Sequence, residues 1–310
     1  MSFSSHVKEE LSHRISNARH CQLAELAAIT ALNGEVFVDD CGDYSIKIST
    51  ENENVLRKYF TLLKKTFNIE AENFIDISTN VFLLNDSYEA KRILSALKMI
   101  DEDGRVMRVS LVNQLIVQQA CCKRSFIRGA FLATGSISDP NKSYHLEIVC
   151  TTERKARQLV EIIEAFEIEA RIVQRKKYHV VYIKEGSGIV DMLNVMEAHV
   201  ALMDLENVRI LKEISNSVNR QVNCETANLN KTINAAVKQI NDIKYIQDTM
   251  GLERLEPNLR ELACLRLENT DMNLKDLGQL LSNPIGKSGV NHRLRKLSRI
   301  ADEIRGNRED

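Results

Sequence analysis

Apolar and polar residues alternate in two short stretches, YSIKIST (44–50) and YHLEIVC (144–150), the pattern of strands with one buried face. Each stretch sits in matching surroundings. A predicted helix over about 20–33 ends at Gly34 and leads to strands near 35–38 and 44–48. A helix at about 53–66, strands at 70–77 and 81–85, and a helix from about 87 to 99 follow. The second pass has a helix over 113–134 ending at Gly135, strands at 136–138 and 145–150, and a helix at 152–165. Strands at 169–175 and 178–184 and a helix at 187–198 complete it. The order α-ββ-α-ββ-α occurs twice.

Short identities set the register of this repeat. FNIEA (67–71) and FEIEA (166–170) lie 99 residues apart, and VFLL (81–84) and VVYI (180–183) keep that offset. Several such pairs in order point to a duplication. The helix before each glycine is rich in small residues: Ala24, Ala27, Ala28 and Ala31 in the first, Gly129, Ala130 and Ala133 in the second. Small side chains let backbones approach, so these two helices are expected to pack together at the centre of a pseudo-twofold domain.

Composition sets limits without naming a function. The chain has 310 residues, enough for two domains, with 44% hydrophobic residues, 27% charged residues and a net charge of −1. Seven cysteines, an odd number with no C-x-x-C pair, argue against a disulfide framework and a structural zinc site and fit a reducing cytosol. The adjacent Cys121 and Cys122 are expected to point apart as semi-buried thiols, and His13 and His20 show no metal-ligand spacing. No signal-type segment and no run of about 18 apolar residues occurs, so a cytoplasmic location with no membrane partner is expected.

The small-residue helices resemble those of the LAGLIDADG homing endonucleases. LAAITALNG (26–34) and IRGAFLATG (127–135) fit the nine motif positions without gaps. In that family the eighth position of each helix is an acid, and the two acids hold catalytic divalent metals. Here those positions are Asn33 and Thr134, and the sixth positions are Ala31 and Leu132. Neutral amide and hydroxyl groups do not neutralise a shared hard cation, so no metal, no cofactor and no catalytic residue is expected. The sheet that binds DNA in those endonucleases leaves a secondary DNA contact open. No acid lies between Asp103 and Asp139, whereas Arg105, Arg108, Lys123, Arg124 and Arg128 do. This cluster reads equally as a phosphate contact or as a solvated basic face.

Past residue 200 the period becomes helical throughout. Val218, Val222, Leu229, Ile233, Val237, Ile240 and Ile243 recur along a polar, Asn-rich stretch that reads as a connector of one or two helices. Arg220, Asn223, Asn230 and Lys231 are its candidates for touching a nucleic-acid backbone. Pro257 then opens a helix bearing Leu259, Leu262, Ala263 and Leu267 on one face. A second helix starts after Asn273, and SNPIGK turns the chain into a third. On that third helix Val290, Leu294, Leu297 and Ala301 share one face. Ser288, His292, Arg295 and Arg299 lie opposite, flanked by Asn291 and Lys296. Three short helices ending in a basic one describe a helix-turn-helix module. Lys287, Ser288, Asn291 and His292 sit where base edges are read, with Arg295 and Arg299 further along for phosphates, and Arg293 and Lys296 complete the DNA-binding candidates.

Taken together, FSSHVKEEL (3–11), RGAFLATGSISDPNKSYHLEIVC (128–150), NRQVNCETANLNKT (219–232) and KSGVNHRLRKL (287–297) resemble the WhiA family of bacterial regulators over nearly the whole chain. The resemblance implies a degenerate LAGLIDADG-like domain joined to a helix-turn-helix domain. It implies a transcription factor for cell division, chromosome segregation and, in sporulating relatives, sporulation, without nuclease activity. The expected organisation is an α+β fold: an N-terminal helical extension (1–19), the duplicated domain (20–200, repeats about 20–99 and 113–198), a helical connector (201–255) and an all-α module (256–305). The expected partners are double-stranded DNA at promoter or operator sites and other transcription or division proteins. A divergent endonuclease and a scaffold for division proteins are the alternatives.

Overall fold

The computed structural model describes residues 2–69, 75–76, 80–107 and 109–306. The chain forms two compact units, Met1–Glu213 and Ile214–Asp310.

In the first unit, α1 (Phe3–His13) precedes the two repeats. The first repeat contains α2 (Arg19–Asn33), β1 (Gly34–Val38), β2 (Tyr44–Ser49), α3 (Glu53–Phe67), β3 (Ile75–Asp76), β4 (Val81–Leu84) and α4 (Ser87–Ala96). The second contains α5 (Ala120–Thr134), β5 (Gly135–Ile137), β6 (Leu146–Cys150), α6 (Glu153–Glu164), β7 (Arg171–Arg175), β8 (Tyr178–Ile183) and α7 (Gly186–Met196). Each repeat folds its strands into one antiparallel four-stranded sheet, ordered β1-β2-β4-β3 and β5-β6-β8-β7. Corresponding glycines hold corresponding registers: Gly34 faces Ile48, and Gly135 faces Ile148.

The backbone repeats even where side chains differ. Asn68 and Glu167 close α3 and α6 in the left-handed region (φ 57° and 62°), and Lys98 and Glu197 do so after α4 and α7 (φ 56° and 67°). Both pairs keep the 99-residue offset of the sequence repeat. Asn52 and Thr152, one before α3 and one before α6, accept backbone N–H bonds as N-caps. Glu70, Ala71 and most of the strand expected at 70–77 lie outside the described residues.

α2 and α5 run side by side in the same direction at the centre. His20 meets Cys122 at their N-terminal ends, Glu25 and Ala28 meet Gly129 midway, and Asn33 meets Ala133 at their C-terminal ends. A Cβ on Gly129 would stand 2.6 Å from the Glu25 carbonyl oxygen and 2.9 Å from the Ala28 Cβ, so this crossing requires glycine. The apolar faces of both sheets, with Ile46, Ile48, Phe82, Ile148 and Val181, close over the pair.

One expectation needs correction. α5 begins at Ala120, not near 113. The Gln158 side chain accepts the Leu111 and Val112 amides (2.8 and 3.3 Å) and donates to the Val112 carbonyl (2.6 Å), tying that segment to α6. Asn113 caps only a short 3-10 turn at Gln114–Ile116. The connector is a single helix, α8 (His199–Met250), of 52 residues. Its recurring Val218, Val222, Leu229, Ile233 and Val237 are exposed, and the second unit's core starts at Ile243 and Ile246.

Candidate nucleic-acid interface

The second unit packs α9 (Pro257–Glu268), α10 (Leu274–Gln279) and α11 (Lys287–Gly306) around Leu259, Leu262, Ala263, Leu277, Leu281, Val290, Leu294, Leu297 and Ala301. Pro257 occupies the first turn of α9, where its missing N–H costs nothing. Asn273 caps α10 by accepting from the Lys275 and Asp276 amides, and its Nδ2 donates to Asp276 at 2.7 Å. Gly278 is the tightest point of the module. A Cβ there would lie 2.2 Å from the Ile285 carbonyl oxygen and 2.9 Å from Val290 Cγ2, while the Ile285 amide donates to the Gly278 carbonyl at 3.1 Å. The long turn between α10 and α11 is thus closed by backbone contact. Glu261 fastens it further, accepting from the Ser282 amide and hydroxyl at 2.6 Å each, bonds that hold its carboxyl below the usual range.

α11 buries Val290, Leu294, Leu297 and Ala301, which directs its other faces outward. Lys287, Ser288, His292, Arg295, Lys296 and Arg299 are exposed, and Asn291 and Arg293 are half-buried at the flanks. All eight expected residues therefore reach the surface of one helix. Lys296 differs from the rest in being held by Glu256 (2.8 Å), which occupies part of its charge.

One member of the secondary basic cluster is removed from the surface. Arg128, read as a possible DNA contact, is 1% exposed. Its Nε and one terminal nitrogen donate to the two carboxylate oxygens of Glu25 (2.9 and 3.1 Å), and the other terminal nitrogen donates to Glu197 (3.0 Å). Lys58 completes this buried network, 2.5 Å from Glu25 and donating to the Leu11 and Arg14 carbonyls at 2.6 and 2.7 Å. Burial pulls the Lys58 ammonium down to about 8, with Glu25 opposing the shift. The two carboxylates beside Arg128 outweigh its burial and raise it further. A guanidinium in this setting is a structural cation. Glu25, Lys58 and Glu197 escaped the sequence reading, although a lone acid in LAELAAITALNG and a lone base in FIRGAFLATG hinted at a buried pair. Of the others, Arg105 pairs with Asp103 (3.5 Å), Arg124 stands over the Phe166 ring (5.2 Å) and Lys123 is half-buried. Arg108 lies outside the described residues. On α8, Arg220, Asn223 and Lys231 are exposed.

The solvent faces of the sheets carry paired charges. Lys47 meets Glu35 (3.6 Å), Arg171 meets Glu169 (2.7 Å), and Glu147 holds both His145 (3.0 Å) and Arg175 (2.7 Å). These pairs offset part of the charge, while Lys176, Lys177 and Lys184 on the β7–β8 hairpin stay exposed.

At the former acid positions, both side chains act as donors. Asn33 Nδ2 donates across the repeat to the Ala133 carbonyl (3.1 Å), and Thr134 Oγ1 donates to the Val149 carbonyl on β6 (2.9 Å). An ionised carboxylate cannot donate, so each position now ties backbone together in a way an acid could not.

The N-terminal ends of α2 and α5 depart from the sequence reading in another way. Cys121 and Cys122 do not point apart: both sulfurs, with that of Cys21, surround His20 Nδ1. Burial, reinforced by the neighbouring thiols, pushes Cys122 up to about 11. Neither local spacing nor a C-x-x-C pattern signals this cluster, because its halves come from helices 101 residues apart.

Comparison with known proteins agrees with this architecture. Family models described as the WhiA N-terminal LAGLIDADG-like domain, the WhiA LAGLIDADG-like domain and the WhiA C-terminal HTH domain match residues 19–99, 123–215 and 218–301. A protein of Lachnoclostridium phytofermentans named "Probable cell division protein WhiA" is 53% identical over 98% of this chain and 100% of its own length. The protein of that name from Lachnospira eligens is 49% identical over 98% of both chains. The crystal structure of full-length DUF199/WhiA from Thermatoga maritima superposes with a TM-score of 0.61 at 25% identity, covering 98% of this chain and 99% of that one. The chain therefore belongs to the WhiA family, with a LAGLIDADG-like domain in two repeats followed by a helix-turn-helix domain.

Proposed function

We propose that this protein is a DNA-binding regulator of cell division that recognises double-stranded DNA through α11 and cuts none of it. The observation that carries the reading is the division of α11 itself. Four apolar residues anchor it in the core, while Ser288, His292, Arg295 and Arg299 share the exposed face. A helix held this rigidly, with short polar groups at its start and arginines beyond, suits the major groove and its flanking phosphates. The names of the relatives and the helix-turn-helix match support the same reading. Promoter or operator sites are the proposed targets, with transcriptional control extending to chromosome segregation and, in sporulating relatives, to sporulation. Cytoplasmic, nucleoid-associated action follows from that role, and no described helix is long and apolar enough to cross a membrane.

The absence of cleavage rests on Asn33 and Thr134, whose donors are committed to backbone carbonyls. Mapping genomic binding sites and then titrating one of them against scrambled DNA tests the regulator reading. Preference for the mapped site, lost in Arg295→Ala, is expected, as is intact plasmid after incubation with Mg²⁺. Site-specific cleavage abolished by changes at Asn33 or Thr134 would establish the endonuclease instead.

A scaffolding role has one observation in its favour. Val218, Val222, Leu229, Ile233 and Val237 form an exposed apolar series on α8, a surface suited to another helix. A cellular phenotype that survives loss of DNA binding in Arg295→Ala but fails when this series is made polar would favour it.

A further inference from the structure

The two central helices carry potential metal ligands at the end opposite Asn33 and Thr134. His20 and Cys21 open α2, and Cys121 and Cys122 open α5. His20 and Cys121 are related by the repeat, 101 residues apart, and Cys21 and Cys122 by the same offset. The ligands thus come as two symmetry-related pairs facing each other across the pseudo-twofold axis.

We propose that His20, Cys21, Cys121 and Cys122 form a tetrahedral site for one zinc ion that clamps the N-termini of α2 and α5 together. The distances suit it. His20 Nδ1 lies 3.2 Å from Cys122 Sγ, 3.4 Å from Cys21 Sγ and 3.9 Å from Cys121 Sγ. All four ligand atoms fall within 4.8 Å of one another. With Zn–S at about 2.3 Å and Zn–N at about 2.0 Å, the edges of a tetrahedron are about 3.5 Å (N to S) and about 3.8 Å (S to S). The observed nitrogen–sulfur distances bracket the first value. The widest separation, up to 4.8 Å, must shorten by up to about 1 Å, within reach of side-chain rotation at the exposed His20 and Cys121.

Hydrogen bonding serves part of the cluster. A neutral imidazole offers one lone pair at Nδ1 and accepts one thiol proton, and the Cys121 thiol donates to Gln119 Oε1 at 3.4 Å. A cation at the centre would use all four ligand atoms at once. The donor set also selects the ion. Three thiolates and an imidazole form a known structural zinc combination, while calcium and magnesium require oxygen ligands.

The surroundings stabilise the charge. Zinc with three thiolates carries a net −1, and it would sit at two helix N-termini that lack side-chain caps. An adjacent cavity of about 330 Å³ is lined by Cys21 and Cys121 together with Arg14, Arg124 and Arg128. This cavity provides an entry path; Arg14 and Arg128 are paired with Glu197 and Glu25, which leaves Arg124 as the nearby positive charge. Cys21 and Cys122 are buried and fix the site in the fold, while His20 and Cys121 are exposed and complete it from outside.

Cobalt(II) reports the site directly. Full-length protein, purified with reductant and stripped with chelator, should take up one equivalent of Co²⁺. Thiolate-to-cobalt charge-transfer absorption and tetrahedral d–d bands should appear, and one equivalent of Zn²⁺ should bleach both. His20→Ala and Cys121→Ser alter exposed side chains, so the fold should persist by circular dichroism while the bands weaken or disappear. The double variant Cys41→Ser/Cys224→Ser, at two exposed cysteines elsewhere, should bind as the parent does. Zinc should also raise the melting temperature of the parent, and that shift should be lost in His20→Ala. The proposal is overturned if the reduced parent shows no charge-transfer band. It is equally overturned if the bands survive in His20→Ala and Cys121→Ser, or if mass spectrometry of protein from reducing buffer shows a disulfide among these cysteines instead of bound metal.

Discussion

Arg128 grips both carboxylate oxygens of Glu25 from the opposite repeat, with neither side chain more than 2% exposed. The pair links the halves of the duplicated domain at its centre. Removing one member of a buried pair leaves the other charge unpaired, typically at about 3–5 kcal/mol. Arg128→Ala should therefore destabilise the protein by that order in urea denaturation. Any loss of DNA binding should disappear at temperatures where the variant is folded. A folded, fully stable Arg128→Ala that had lost DNA affinity would restore the surface role.

Gly129 tests how tightly the repeats are joined. Its missing Cβ leaves room for the Glu25 carbonyl and for Ala28, both on rigid backbone. Gly129→Ala should cost at least the ~1–3 kcal/mol typical of overpacking, seen as a lowered melting temperature. A neutral effect would mean that α2 and α5 can slide apart.

The Lys58 ammonium should leave a signature in alkali. Its pKa falls from 10.5 in the unfolded chain to about 8 in the folded one. Between these values the unfolded chain holds more protons, so this group's contribution to stability rises with pH. The contribution is complete above 10.5 and is lost as pH falls through 8. Denaturation midpoints measured from pH 7.5 to 10 should therefore differ in slope between the parent and Lys58→Met, the variant lacking this rising component.

On α11 the residues should separate by role. Arg295→Ala should weaken binding to all DNA and flatten its salt dependence. Asn291→Ala should relax preference at one base pair, at about 1–3 kcal/mol. Lys296→Ala should change the salt slope less than Arg295→Ala, because Glu256 already holds its ammonium. Fluorescence anisotropy on specific and random duplexes distinguishes these patterns. Equal losses on both duplexes for Asn291→Ala would remove it from base reading.

Gly278 should prove as sensitive as any DNA-facing residue without touching DNA. With the Ile285 carbonyl only 2.2 Å from its would-be Cβ, Gly278→Ala must open the turn before α11. Specific binding should fall sharply, while limited proteolysis still yields a resistant fragment close to residues 1–213, the first compact unit.

Local pattern was enough to reveal the duplication, the strand alternation and the amphipathic face of α11. The last two depend on residues two to seven positions apart and are enforced by solvent exposure; the duplication shows as short identities 99 residues apart. Arg128 was counted among the surface bases for a related reason. Arg128 is basic in any local window, and only α2, brought alongside from a hundred residues away, shows that Glu25 takes its charge. The connector's apolar period was legible as a helix, and Val218, Val222, Leu229, Ile233 and Val237 face solvent, because periodicity records a helix and not what covers it.

The sequence by itself determined the two-repeat domain, the helix-turn-helix module and the loss of both acid positions, since each is written in contiguous residues. Tertiary structure alone decided that Asn33 and Thr134 serve as backbone donors, that Arg128 is interior, and that His20, Cys21, Cys121 and Cys122 converge. Those outcomes depend on α2 and α5 packing in register, and a contact between residues a hundred positions apart has no period in the chain from which to be read.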